Sequence, residues 1–254
     1  MHAPLPSGKI WYEDTGGRGA AVVLLHAGSG SSRAWKHQLS ALSAAGFRMI
    51  AYDRPGHGKT EAKPSSKPAA EVLGELLDFL ATEKAHLVGT AAGAIVALDF
   101  GLAYAGRVLK LVLANTHGGL QDENYVALQR RLRPAPQFDA LPAEVRELGP
   151  SYRAANPEGV REWIALENPG AMPNAVTRNR LAFSALESIT APTLLITGDA
   201  DLYMPPAVLK MFSERMKNSR SVVIPECGHS AYWEQPEAFN NAVLAFLKSV
   251  PGTE

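Results

Sequence analysis

Val88-Gly89-Thr90-Ala91-Ala92-Gly93 is the stretch that decides how this chain folds. A short aliphatic run, Ala85–Gly89, leads into it, and an alanine-rich segment, Ala92–Tyr104, leaves it. A strand that turns directly into a helix forces the residue at its tip into a strained conformation, and small neighbours relieve the crowding. Glycines two before and two after Ala91, with Ala92 beside it, supply that relief. The tip is presented at a helix N-terminus, where unpaired amides stabilise negative charge.

Outward from this turn, aliphatic runs alternate with amphipathic segments, the pattern of a mostly parallel sheet flanked by helices. The runs Lys9–Glu13, Ala21–His26, Phe47–Asp53, Ala85–Gly89, Val108–Ala114, Thr193–Thr197 and Ser221–Pro225 read as strands. Their nearly continuous apolar character suits burial on both faces. Ser32–Ala45, Ala69–Ala81, Ala92–Tyr104, Pro206–Lys217 and Pro236–Lys248 read as helices, the last two opening on proline, whose missing N–H costs nothing there. The alternation breaks over 117–189, which is rich in proline but has helical patches at Asn124–Leu132 and Gly159–Leu166. It holds eight of the fifteen arginines and none of the ten lysines. We read it as a helical cap inserted into a core made of 1–116 and 190–254.

Composition narrows the function. The 254 residues are 46% hydrophobic and 20% charged, with 25 basic and 25 acidic side chains. That balance advertises neither nucleic acid nor an anionic membrane surface. A single cysteine, Cys227, excludes an internal disulfide and any CxxC site. The opening Met1–Pro6 has no basic run before an apolar segment, and the longest aliphatic stretch, Ala20–Leu25, is far too short for a bilayer. A cytoplasmic protein is expected. Gly58-Lys59-Thr60 is no phosphate loop, because Asp53 stands where that motif needs glycine. Gly28 and Gly30 lack the third glycine of a dinucleotide fingerprint, and the seven histidines have no metal-binding spacing. Neither cofactor nor metal is expected.

Two further points share the logic of the turn. Gly198-Asp199-Ala200-Asp201 follows the strand Thr193–Thr197, and Cys227-Gly228-His229 follows Ser221–Pro225. Side chains at the carboxyl ends of parallel strands face the crevice where such sheets bind ligands. In this order and spacing the chain resembles the α/β-hydrolase fold family along essentially its whole length. Gly89-Thr90-Ala91-Ala92-Gly93 matches the family's G-x-S-x-G except at its centre. His26-Ala27-Gly28-Ser29-Gly30 resembles its HGxxG oxyanion loop, and Asp53–Thr60 its DxxGxGxS turn with threonine for serine. The resemblance implies that Ala91 stands at the nucleophile position, His229 is the general base and Asp201 orients it. It also implies that the amides of Gly28 and Ala92 form the oxyanion hole. Family spacing from Gly198 favours Asp201 over Asp199, which is expected to be a turn residue. His26, His57, His86 and Cys227 are expected to be structural.

A methyl group cannot attack a carbonyl, so the chain as written cannot form an acyl-enzyme. With the rest of the frame complete, an inactive counterpart of a serine enzyme is favoured. A nucleophile-free His–Asp enzyme (a lyase or cofactor-independent oxygenase) and a ligand-binding homologue remain open. The expected substrate is a small to medium ester or lactone, handled by a monomer or homodimer. Tyr125, Tyr152 and Trp163 are expected to contact it, with Leu128, Ile164, Met172 and Phe183 as further apolar lining. An anionic substrate is suggested by the arginines, of which Arg130, Arg131, Arg133, Arg178 and Arg180 lie nearest the junctions with the core.

Overall fold

The computed structural model describes residues 1–166 and 176–249. Its centre is an eight-stranded sheet: β1 (His2–Leu5), β2 (Gly8–Asp14), β3 (Ala21–Leu25), β4 (Arg48–Tyr52), β5 (Ala85–Thr90), β6 (Val108–Ala114), β7 (Thr193–Gly198) and β8 (Ser219–Ile224). The spatial order is β1-β2-β4-β3-β5-β6-β7-β8. β1 and β2 run antiparallel to their neighbours, and the pairs from β4 through β8 are parallel. Every residue of β3, β5 and β7 is buried, as their unbroken apolar runs require, whereas β2 alternates. β1 was not among the expected strands. It is an edge strand, and an edge tolerates Pro4 because that side of the ladder needs no donor.

Helices cover the sheet: α1 (Lys36–Ala44), α2 (Ala69–Phe79) and α3 (Ala92–Ala103) follow the early strands. Between β6 and β7 lie α4 (Glu123–Leu132), α5 (Ala143–Glu147), α6 (Pro150–Ala155), α7 (Pro157–Leu166) and α8 (Phe183–Glu187). α9 (Pro206–Ser213), α10 (Ala231–Glu234) and α11 (Pro236–Lys248) complete the chain. The segment expected as one helix from Ser32 opens as a 3-10 turn, Ser32–Trp35, before α1. Among the described residues no helix is long and apolar enough to cross a membrane.

The strand order places the site. The chain steps from β3 outward to β4, then returns to the other side of β3 for β5, so loops leaving β3 and β5 diverge at the carboxyl edge. A crevice opens at such a switch point. The two elements meet there very closely: a Cβ on Gly93 would lie 2.0 Å from the Leu25 carbonyl oxygen, and one on Gly89 2.6 Å from the Ala94 amide nitrogen.

Candidate active site

Ala91 sits between β5 and α3 with φ 48° and ψ −117°, a left-handed backbone that L residues rarely adopt. Its amide donates to Ala114 O (3.0 Å), and the Thr116 hydroxyl donates to its carbonyl (2.9 Å), so β6 holds the strained tip in place. Ala92 is the first residue of α3, and its amide has no carbonyl within the helix to bond. The loop carrying Gly28 is pinned by three bonds. His57 Nε2 meets Gly28 O at 2.8 Å, while His26 Nδ1 (2.7 Å) and the Arg54 guanidinium (2.9 Å) meet Ala27 O. Burial, then the Arg54 charge, depresses both imidazoles, which suits neutral scaffold histidines.

Asp201 and His229 come together from the ends of β7 and β8. His229 Nδ1 lies 2.9 Å from each carboxylate oxygen of Asp201. Asp201 also accepts from the amides of Tyr203 (2.8 Å) and Met204 (2.9 Å), from Asn115 Nδ2 (3.0 Å) and from the Thr197 hydroxyl (3.1 Å). Burial alone would raise its pKa. The His229 charge and these bonds overcome that and hold the carboxyl down at about 2. Burial likewise opposes the His229 imidazolium, but Asp201 and then Glu147 carry its pKa upward. Asp199 accepts from the amides of Glu226 and Cys227 (3.1 Å each), which makes it a turn residue. Cys227 is buried, and burial pushes its thiol up, away from the reactive thiolate.

Three residues here were not singled out in the sequence. Asn115, with φ 46°, bridges Asp201 and Gly228 O (3.2 Å). Glu234 accepts the amides of Gly149, Gly228 and Ser230, tying the loop before α6 to the loop that carries His229. Glu147, at the end of α5, brings a carboxylate oxygen to 3.9 Å from His229 Nε2. Left-handed Asn115 could have been suspected at a strand end; the two glutamates depend on contacts between distant segments.

A cavity of about 590 Å³ is lined by Ala92, His117, Arg146 and Tyr203, neighbours of these residues in sequence or space; Asp201, His229 and Glu147 are not among its lining residues. The Tyr203 ring packs on the His229 imidazole with centroids 4.5 Å apart. Tyr125 lines the cavity wall, donating its hydroxyl to His117 O (3.2 Å). Trp163 and Tyr152, expected to contact substrate, are not among the residues that line it. α7 lies against the 3-10 turn at Ser32–Trp35, so Trp163 is buried in the same core cluster as Trp35 and Trp233, with Tyr152 packed against that cluster. Ile164 is exposed, Phe183 packs between Tyr125 and Phe212, and Leu128 packs on the core. Met172 lies outside the described residues. Of the arginines singled out, Arg130 and Arg133 line the cavity, joined by Arg146. Arg131 and Arg180 are exposed and absent from its walls, and Arg178 pairs with Glu71 at 3.1 Å. Among the described residues no group of three or more His, Cys, Asp and Glu side chains is arranged to hold a metal ion.

Comparison with known proteins agrees with this geometry. A 2-hydroxy-6-oxononadienedioate/2-hydroxy-6-oxononatrienedioate hydrolase of Burkholderia vietnamiensis is 32% identical, over 94% of this chain and 91% of that protein. A 2-hydroxy-6-oxo-6-phenylhexa-2,4-dienoate hydrolase of Burkholderia cepacia is 29% identical, over 91% and 88%. Among solved structures, a thermophilic esterase from Thermogutta terrifontis, described with malate bound, superposes with a TM-score of 0.81. It is 27% identical, covering 98% of this chain and 97% of that one. The alpha/beta hydrolase family model matches residues 22–242. The sheet, the turn at Ala91 and this match together make the chain a member of the alpha/beta hydrolase family.

Proposed function

We propose that the chain is a hydrolase whose substrate is a small to medium carbonyl compound, an ester or lactone, bearing a carboxylate. The observation that carries this reading is the Asp201–His229 pair at the carboxyl edge of the sheet, beside the strained turn. A neutral His229 with Asp201 behind it takes a proton at Nε2, and the amides of Ala92 and Gly28 receive the oxyanion. With Ala91 at the tip, the covalent acyl-enzyme route is closed.

The substrate's charge is argued from the cavity. Arg130, Arg133 and Arg146 bring three guanidinium groups to its walls, against the carboxylate of Asp139. Arg133 is held by Gln129 Oε1 (2.7 Å) and lies 4.9 Å from the Tyr203 ring, which places it near the imidazole. Arg146 Nε is buried without a partner among the described residues, and an incoming carboxylate supplies an acceptor for it. About 590 Å³ suits a small molecule, since ligand pockets span roughly 300–1,000 Å³. The Burkholderia relatives act, by their names, on dienoate and dienedioate compounds, and the esterase neighbour's malate is a dicarboxylate.

The test is Ala91→Ser, assayed on matched esters and lactones with and without a carboxylate. The backbone already holds the required conformation, so the hydroxyl adds no new strain. Turnover should rise by orders of magnitude, because loss of a serine nucleophile costs up to about 10⁶ in kcat. Arg133→Leu in that form should lower kcat/KM for carboxylated esters by about 10- to 100-fold while sparing neutral ones. A panel on which neither the serine form nor the unaltered chain turns over refutes the reading.

A further inference from the structure

Glu147 stands at the reaction centre without a part in the scheme above. Its Oε2 lies 3.9 Å from His229 Nε2, on the opposite side of the ring from Asp201. The approach is built by the backbone. The His229 amide donates to Glu147 O at 2.6 Å, and Gly149 and Gly228 both donate their amides to Glu234. The two segments lie so close that a Cβ on Gly228 would come 2.4 Å from the Gly149 nitrogen. The Tyr203 hydroxyl hydrogen-bonds the Glu147 carboxyl while its ring covers the imidazole.

A serine enzyme needs Nε2 free for the hydroxyl proton, and a carboxylate at that nitrogen competes for it. Ala91 has no hydroxyl to compete with. The 3.9 Å separation is too long for a direct hydrogen bond, and one oxygen atom bonded to both groups spans it.

We propose that Glu147 and His229 together hold and deprotonate the water that attacks the substrate carbonyl, so that this chain hydrolyses directly, without an acyl-enzyme. The proposal rests on the carbonyl-substrate reading given above. The water oxygen bonds to the carbonyl carbon as one of its protons passes to His229 Nε2, and the carbonyl π pair moves onto oxygen. Collapse restores the carbonyl, breaks the bond to the leaving alkoxide, and returns the proton from Nε2 to that alkoxide. Glu147 accepts the water's second O–H as a hydrogen bond and ends the cycle unchanged. Acid and alcohol are the products.

The charges facing this pair set its pH behaviour. Burial opposes both charges and pushes the Glu147 carboxyl up; beside it, Asp201, Glu147, Arg133 and the neighbouring His117 act on His229, and His229, Asp201, Arg146 and Tyr203 act on Glu147. Burial, then the charge of Arg133, depresses His117 to about 4, so it contributes no positive charge near neutrality. The two carboxylates favour the imidazolium, and Glu147→Gln removes one of them.

The experiment compares Glu147→Gln with the unaltered chain on a carboxylated ester, with kcat, KM and the pH profile as readouts. Glutamine has the same shape and leaves the backbone bond from His229 intact. The kcat should fall about 100-fold, within the range of general acid–base catalysis, with KM changed less than about threefold. The rising limb of the pH–kcat profile should move to lower pH. In the Ala91→Ser background the same substitution should act oppositely, raising turnover several-fold at pH 7 by leaving more neutral imidazole for the hydroxyl. Tyr203→Phe keeps the ring and removes a donor to Glu147, and should move the rising limb of the unaltered chain upward. An unchanged kcat in Glu147→Gln, or an acyl adduct on the Ala91 chain by mass spectrometry, overturns the proposal. If Ala91→Ser turns over and the Ala91 chain does not, the water route falls and the hydrolase reading stands. If both are inert, both fall.

Discussion

Replacing Asp201 with asparagine should cost the folded protein about 3–5 kcal/mol, by an amount that depends on pH. Two contributions make up the figure. Asp201 has a folded pKa of about 2 against an ordinary value near 3.8, equivalent to about 2 kcal/mol of net pairing for a carboxylate with no exposed surface. The second contribution is geometric. One oxygen receives the Tyr203 and Met204 amides and the other receives Asn115 Nδ2 and the Thr197 hydroxyl. The new amide nitrogen is least costly where it faces Asn115, and there a donor confronts a donor, at about 1–3 kcal/mol for a buried orphan. Together these lower Tm by roughly 6–20 °C in a chain of this size. The paired share is complete above pH 3.8, where an unfolded carboxyl is ionised, and is lost as pH falls through about 2. On the alkaline side it is complete below 6.5 and lost as pH rises through about 9, where the raised His229 gives up its proton. Differential scanning fluorimetry of both proteins from pH 4 to 10 should therefore show the Tm gap widest between pH 4 and 6.5 and shrinking toward pH 9. A gap that stays constant across that range refutes the buried ion pair as its source.

Two further substitutions separate packing from chemistry. Trp163→Ala empties a site that is 2% exposed in the core and should cost about 3–5 kcal/mol. In the Ala91→Ser form it should leave the preference between large and small esters unchanged within about twofold, and a shifted preference with unchanged Tm would refute this placement. Gly93→Ala sets a Cβ 2.0 Å from the Leu25 carbonyl, so backbone must move. Tm should drop by at least roughly 10 °C, or soluble protein should be lost; a variant as stable as the parent would contradict the close contact of α3 with β3.

The sequence alone determined the features governed by local rules. Buried parallel strands declare themselves as unbroken aliphatic runs, and the turn at Ala91 needs small residues at fixed offsets, so β3 to β7 and the tip were legible. Asp201 was legible because it follows such a strand by a few residues, whereas His229 follows β8, which is only partly buried, and was reached through the family resemblance. Arg130 and Arg133 were singled out for lying nearest a junction of cap and core, whereas Arg146, which also lines the cavity, was not.

Tertiary structure decided the rest, because it depends on which distant segments touch. Trp163 and Tyr152 look like pocket aromatics in sequence, yet α7 packs its apolar face against Trp35 and the α10 region, and burial there claims them. Asn115 becomes a support for Asp201 only because β6 and β7 are neighbours, a pairing between residues 86 positions apart. Glu147 is one more acidic residue on a short polar helix until Glu234 ties Gly149 to Gly228 and the His229 amide takes its carbonyl. A hydrogen bond across 82 positions or more leaves no periodic trace in sequence, since neither partner constrains the residues beside it.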